Sequence, residues 1–173
     1  LIRETLARYD ALADFSFAMQ GLGSGAISLY GNSEQKQNIL EEVSAGRMIA
    51  GFALSEPDAG SDVAAMSSKA FSTTYGWKVN GEKSWISNGG IADYYTLFAK
   101  TSDQPGSGGI SAFLLDADNP GLSIAERQEV MAPHPLARLQ LKDAELSPEA
   151  LLGEEGKGFG IAMATLNIFR PTV

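Results

Sequence analysis

The sequence predicts an α+β protein in which an antiparallel β-barrel or sandwich is flanked by α-helices. Three observations carry this expectation. Apolar residues recur at three- and four-residue spacings from Leu6 to Val43, the period of helices with one buried face. From Met48 the pattern changes to seven or eight short runs separated by turn residues, with no helix of length between them. Glycines at 153, 156, 158 and 160 then lead back into one helical stretch that has no partner.

The elements follow in order. Leu6, Tyr9, Leu12, Ala13 and Phe17 give an amphipathic helix over 1–19. Gly21, Gly23 and Gly25 interrupt it. No strand precedes them, as a phosphate-binding turn would require, so they read as a close-packed connection to a short helix over 24–30 that ends at Gly31. Ser33 is expected to cap the next helix, with Ile39, Leu40 and Val43 as its buried stripe and Gly46 as its stop.

Ile49–Leu54 reads as the first strand and Ala64–Ser72 as the second. Gly76–Val79 runs into Asn80-Gly81, a strong hairpin signal, and Glu82–Ser87 is expected to return from it. Strands at Tyr94–Lys100 and Ile110–Asp116 flank a loop over 102–109 that is expected to be solvated and free of chemistry. Leu122–Arg127 and Leu136–Leu141 complete the set, and the last helix places Phe159, Met163 and Leu166 on one face.

Composition narrows the function. The 173 residues carry a net charge of -8 with scattered Lys and Arg, which argues against a nucleic-acid surface or an anionic-membrane surface. A polyanionic ligand would need locally placed cations. The absence of cysteine excludes disulfides, thiolate zinc sites and cysteine nucleophiles. His134 is the only histidine, so a histidine metal cluster is excluded too. No apolar run reaches spanning length and no signal-peptide pattern opens the chain, so no membrane insertion is expected.

The stretch with most chemical content is Ala53-Leu54-Ser55-Glu56-Pro57-Asp58-Ala59-Gly60-Ser61-Asp62, read with Lys83-Ser84-Trp85-Ile86-Ser87-Asn88-Gly89-Gly90. Pro57 forces a turn after the first strand, and Gly60 permits a positive φ or a close backbone approach. Ser61 and Asp62 can cap a short helix starting at Val63. Such a turn offers N–H groups and a hydroxyl to a polar or anionic ligand. Trp85 and Ser87, two residues apart, share a face if the strand is regular. Hydroxyl donors beside an indole make a wall for a flat, heteroatom-rich ring. Glu56, Asp58 and Asp62 fit turn and capping roles better than acid–base roles.

These two strings, with Leu152-Gly153-Glu154-Glu155-Gly156-Lys157-Gly158-Phe159, resemble the acyl-CoA dehydrogenase family of flavoproteins, in the family's order and at about its spacing. The resemblance implies three parts: 1–47 as the end of an N-terminal helical domain, 48–152 as a flavin-binding middle β-domain, and 153–173 as the start of a C-terminal helical domain. The chain opens on Leu1 inside a helical pattern and is expected to be a fragment. The implied cofactor is FAD and the implied reaction is α,β-dehydrogenation of an acyl-CoA or acyl-carrier thioester. Electrons would pass to an electron-transfer flavoprotein or another acceptor. A homodimer or homotetramer is implied for the full-length protein, in the bacterial cytoplasm or, alternatively, the mitochondrial matrix.

By the same resemblance, Ser87 matches a hydroxyl beside flavin N5 and Ser55 one to the pyrimidine. Phe52, Leu54, Trp85 and Ile86 would line the ring. Gly60 and Ser61 would lie near the ribityl-phosphate and the substrate's pantetheine. Asn167 and Arg170 would stand on the substrate side, with Arg170 supporting the active site. Serine replaces the more familiar threonine at 55 and 87, and asparagine replaces the usual aspartate at 167. The family's catalytic glutamate falls outside this sequence. The segment Pro133-His134-Pro135 departs from the family pattern and suggests an unusual acyl group or carrier, with His134 expected to be packed between prolines rather than catalytic. Rival readings are a flavin oxidase or monooxygenase on the same scaffold, and a non-catalytic β-domain kept for binding or assembly.

Overall fold

The computed structural model describes residues 1–131 and 134–169. Helix α1 (Ile2–Tyr9) gives way to α2 (Ala11–Tyr30) at Asp10, whose carboxylate accepts hydrogen bonds from Leu12 N and Ala13 N. The sequence reading put the break at the glycines; α2 instead runs straight through them. Tertiary packing overrides propensity here, because the glycines are where α2 meets its neighbours. A Cβ on Gly23 would lie 2.5 Å from that of Ala50, and one on Gly25 would lie 2.7 Å from the Phe169 ring. Close packing was the correct part of the expectation. The next helix is capped by Asn32, not Ser33, with Gln35 completing a capping box. It passes from α3 (Ser33–Gln35) through a π segment, Lys36–Leu40, into α4 (Glu41–Ser44).

Eight strands form one mixed sheet: β1 (Ala50–Ala53), β2 (Lys69–Thr73), β3 (Gly76–Ser87), β4 (Tyr94–Lys100), β5 (Ile110–Asp116), β6 (Leu122–Arg127), β7 (Leu136–Leu146) and β8 (Leu151–Leu152). The order is β6-β7-β3-β2-β4-β5-β8, with β1 paired to β4. Most pairings are antiparallel, but β1 and β2 both run parallel to β4. The sheet is open, yet Val79, Leu139 and Leu141 from one arm share a core with Leu97, Phe113 and Leu115 from the other. The opposite face packs on α2 and on α5 (Gly158–Phe169) through Ile27, Phe98, Ile110 and Ile161. β4 serves both cores by strict alternation: Tyr95 and Leu97 on one side, Tyr94 and Phe98 on the other.

Two expectations about strands need correction. Residues 63–65 form a 3-10 turn rather than the start of a strand, and Asp62 precedes it without a side-chain cap bond. Asn80-Gly81 is not a hairpin. β3 continues through it for 12 residues, and the two-residue turn lies at Thr74-Tyr75 instead. The Asn80 side chain is used across the sheet, where its Oδ1 accepts from Asp143 N and its Nδ2 donates to Asp143 Oδ1. Gly81 is needed because any side chain there would collide with Ser68.

Candidate functional site

β1 and the turn after it lie against the end of β3, and three stitches hold them together. Ser84 N donates to Ser55 O at 2.9 Å. Asn88 Nδ2 donates to Ala50 O at 2.8 Å, from a buried side chain. Lys83 Nζ donates to Leu54 O at 3.2 Å and to Glu56 Oε1 at 2.8 Å.

The Lys83–Glu56 pair is fully interior, with the lysine side chain 0% and the glutamate 3% exposed. The remaining acceptor capacity of Glu56 is taken by Ser67 N, Ser67 Oγ and Ser68 N. Burial alone would push the Glu56 carboxyl up. Lys83 and the serine donors outweigh it and hold that carboxyl at about 2. Burial pulls the Lys83 ammonium down, and Glu56 opposes that shift. Glu56 is therefore the anchor of the turn, while Asp58 and Asp62 are exposed.

The end of β3 is irregular. The pairing with β7 slips between Lys83 and Ile86, so Ser84 and Trp85 face the single residue Arg138. On an even strand Val79 and Ile86 would face opposite ways, yet both lie in the inner core. The inserted residue reverses the alternation and turns residues 85 and 87 outward. Trp85 has φ 60, a left-handed backbone rare for a bulky residue, and its residue is 58% exposed. The sequence reading put Trp85 and Ser87 on one face by simple alternation; they do line one cleft, and the bulge decides that this face is the outer one.

That cleft, about 190 Å³, is lined by Phe52, Leu54, Ser55, Gly60, Trp85, Ile86 and Ser87, all named from the sequence. Ser61 is exposed one residue beyond the lining, and Asn167 is exposed on α5, also outside it. Arg170 and Pro133 lie outside the described residues. His134 stacks on the Phe15 ring at 4.1 Å, so α2 rather than a proline pair is its described packing partner. Sequence reasoning missed Met19 and Leu22 from α2, Ala50 from β1, Val63, and Leu166 from α5, which complete the lining. The three-residue spacing of Met19 and Leu22 was the available signal, hidden by reading a break at the glycines.

No ionisable side chain among the described residues lines the cleft. Among the described residues, neither the Ser55 nor the Ser87 hydroxyl has a hydrogen-bond partner, and no group of His, Cys, Asp and Glu could hold a metal. Apolar walls, two free hydroxyls and a broad indole suit a flat ring with polar edges. The arrangement can bind and orient; among the described residues it contains no base. No helix of the described residues is long and apolar enough to cross a membrane.

Comparison with known proteins bears on the same region. The family model described as acyl-CoA dehydrogenase, middle domain, matches residues 51–144. The probable acyl-CoA dehydrogenase fadE25 of Mycobacterium leprae is 37% identical over 175 residues, covering 100% of this chain and 45% of the relative. The chain thus spans about half the length of the curated relatives it matches. The structure of butyryl-CoA dehydrogenase from Megasphaera elsdenii superposes with a TM-score of 0.93 at 35% identity, covering 97% of this chain and 45% of that one. A structure described as the FAD complex of PigA superposes with a TM-score of 0.85 at 32% identity, covering 91% and 42%.

Proposed function

Because the chain belongs to the acyl-CoA dehydrogenase family, we propose that its cleft holds the isoalloxazine of FAD and that the full-length protein dehydrogenates an acyl thioester. The observation that carries this reading is the pair of hydroxyls, Ser55 and Ser87, which have no hydrogen-bond partner among the described residues and line the same cleft as an exposed indole. The residues fit the group: a ring with polar edges satisfies both serines, and Phe52, Leu54 and Trp85 supply apolar contact.

Flavin, when bound, supplies the two-electron acceptor for a hydride leaving the acyl β-carbon. Ser87 would donate to the N5 side and Ser55 to the pyrimidine side, fixing the ring's orientation. Trp85, Met19 and Leu22 would exclude water from the ring. No ionisable side chain among the described residues lines the cleft, and the base that removes the α-proton is proposed to lie in a part of the full-length protein outside this chain, as the family resemblance implies. The three divisions 1–47, 48–152 and 153–173 are proposed as parts of that larger protein. An acyl-CoA or acyl-carrier thioester is the proposed substrate, with an electron-transfer flavoprotein or another acceptor downstream, and a homodimer or homotetramer as the assembly. The bacterial cytoplasm is the proposed compartment.

The test is the visible spectrum of the full-length protein before and after acyl-CoA esters are added without air. A flavin band that bleaches is the expected result. A colourless protein would sink the reading and favour a binding or assembly role. Fast reoxidation by oxygen would favour an oxidase on the same scaffold.

A further inference from the structure

Gln128 follows β6, and its backbone N–H donates to Leu136 O at 2.9 Å. Its side-chain amide reaches back to the bulge in β3. Oε1 accepts the Trp85 N–H at 2.8 Å, and Nε2 donates to Ser84 Oγ at 3.1 Å. An N–H must meet an acceptor, so the Trp85 contact fixes which way the amide points. Both partners are the bulge residues, the two that share one opposing residue in β7.

Resting on the flavin reading of the cleft, we propose that Gln128 is a positioning residue: its amide stands in for the missing ladder partner and holds the bulge that turns Trp85 toward the cleft. Three features support it. The bulge alone decides whether residue 85 faces the inner core or the cleft, since it reverses the alternation set by Val79. Its conformation is unfavourable for tryptophan and persists only if the surroundings impose it. The nearby Arg138 side chain carries only donors and is paired with Glu82 at 3.3 Å and Glu126 at 3.2 Å, so it cannot take the place of the amide oxygen. Without the amide, the Trp85 N–H loses its acceptor and the left-handed φ loses its support. Relaxation to an ordinary strand backbone would carry the indole away from the ring it covers.

The experiment compares Gln128→Met, which keeps shape and loses both bonds, with Gln128→Glu, which keeps an acceptor for Trp85. It uses the full-length protein and two readouts: hydrogen exchange of the Trp85 amide, and FAD affinity on reconstitution of the apoprotein. In Gln128→Met the amide is expected to exchange about tenfold faster and FAD to bind about tenfold more weakly, the scale of one lost hydrogen bond. Gln128→Glu is expected to restore both. Unchanged exchange in Gln128→Met overturns the proposal, as does faster exchange with unaltered FAD affinity, or failure of Gln128→Glu to rescue. Should Gln128→Met not fold, Gln128→Asn, polar but one methylene short, is expected to show the same two losses, and their absence overturns the proposal. A wild-type protein that binds no FAD sinks the flavin reading, while the exchange measurement still decides whether Gln128 holds the bulge.

Discussion

Replacing Lys83 with methionine removes the cation from the interior pair and leaves the Glu56 carboxylate with its serine donors alone. The size of the effect follows from the carboxyl itself, which is held at about 2 against an ordinary 4.5. At about 1.4 kcal/mol per pH unit, that difference is worth about 3 kcal/mol, produced by Lys83 and the serine donors together against burial, and it sets the scale for losing the lysine. This lies at the lower edge of the roughly 3–5 kcal/mol expected when a buried pair loses one partner. A depressed carboxyl stabilises the fold fully above its unfolded value, and the contribution is lost as pH falls from about 4.5 toward 2. The deficit of Lys83→Met relative to wild type should therefore be about 3 kcal/mol at pH 7 and shrink to about 1 kcal/mol at pH 3. Urea unfolding of both proteins at the two pH values measures it. Glu56→Gln combined with Lys83→Met should recover part of the loss, since it removes the stranded charge. A deficit below about 1 kcal/mol at pH 7, or one that does not change with pH, would refute the reasoning.

Three further outcomes are expected. Trp85→Gly relieves a left-handed backbone but gives up the two-fifths of the residue that is buried, so the two effects should nearly cancel and stability change by no more than about 1 kcal/mol while FAD affinity falls; a clear loss of stability would count against strain at that site. Gly23→Ala puts a methyl group against Ala50 and should lower the melting temperature and weaken FAD binding together, since α2 and β1 both border the cleft; a neutral melting curve would contradict the packing. Tyr94→Phe removes a buried hydroxyl that has no partner among the described residues, and calorimetry should find stability unchanged or slightly raised, where a loss above about 1 kcal/mol would mean the hydroxyl is bonded.

Strand bounds were legible where a short run was set off by turn residues on both sides. The residues of β4, β5 and β6 match their sequence reading end to end. Asn80-Gly81 misled because its turn chemistry serves Asp143 and Ser68, partners distant in sequence. The glycines of α2 misled because helix propensity is weak beside contact with Ala50 and Phe169. In the candidate site, the residues next to the two motifs converge as expected. What could not be read is whatever depends on three-dimensional pairing: the union of Glu56 with Lys83 across 27 positions, the bulge that reorients Trp85, and the α2 wall.

The stitches from Ser84, Asn88 and Lys83 have a consequence for how a ligand is met. They make the two motif-bearing walls a single rigid body, so neither can open or swing independently of the other. A flat ring arriving there finds its donors already in place, and little ordering entropy opposes its binding on that side. Any gating of entry must come from the helices opposite, which touch the cleft only through flexible apolar side chains such as Met19 and Leu166.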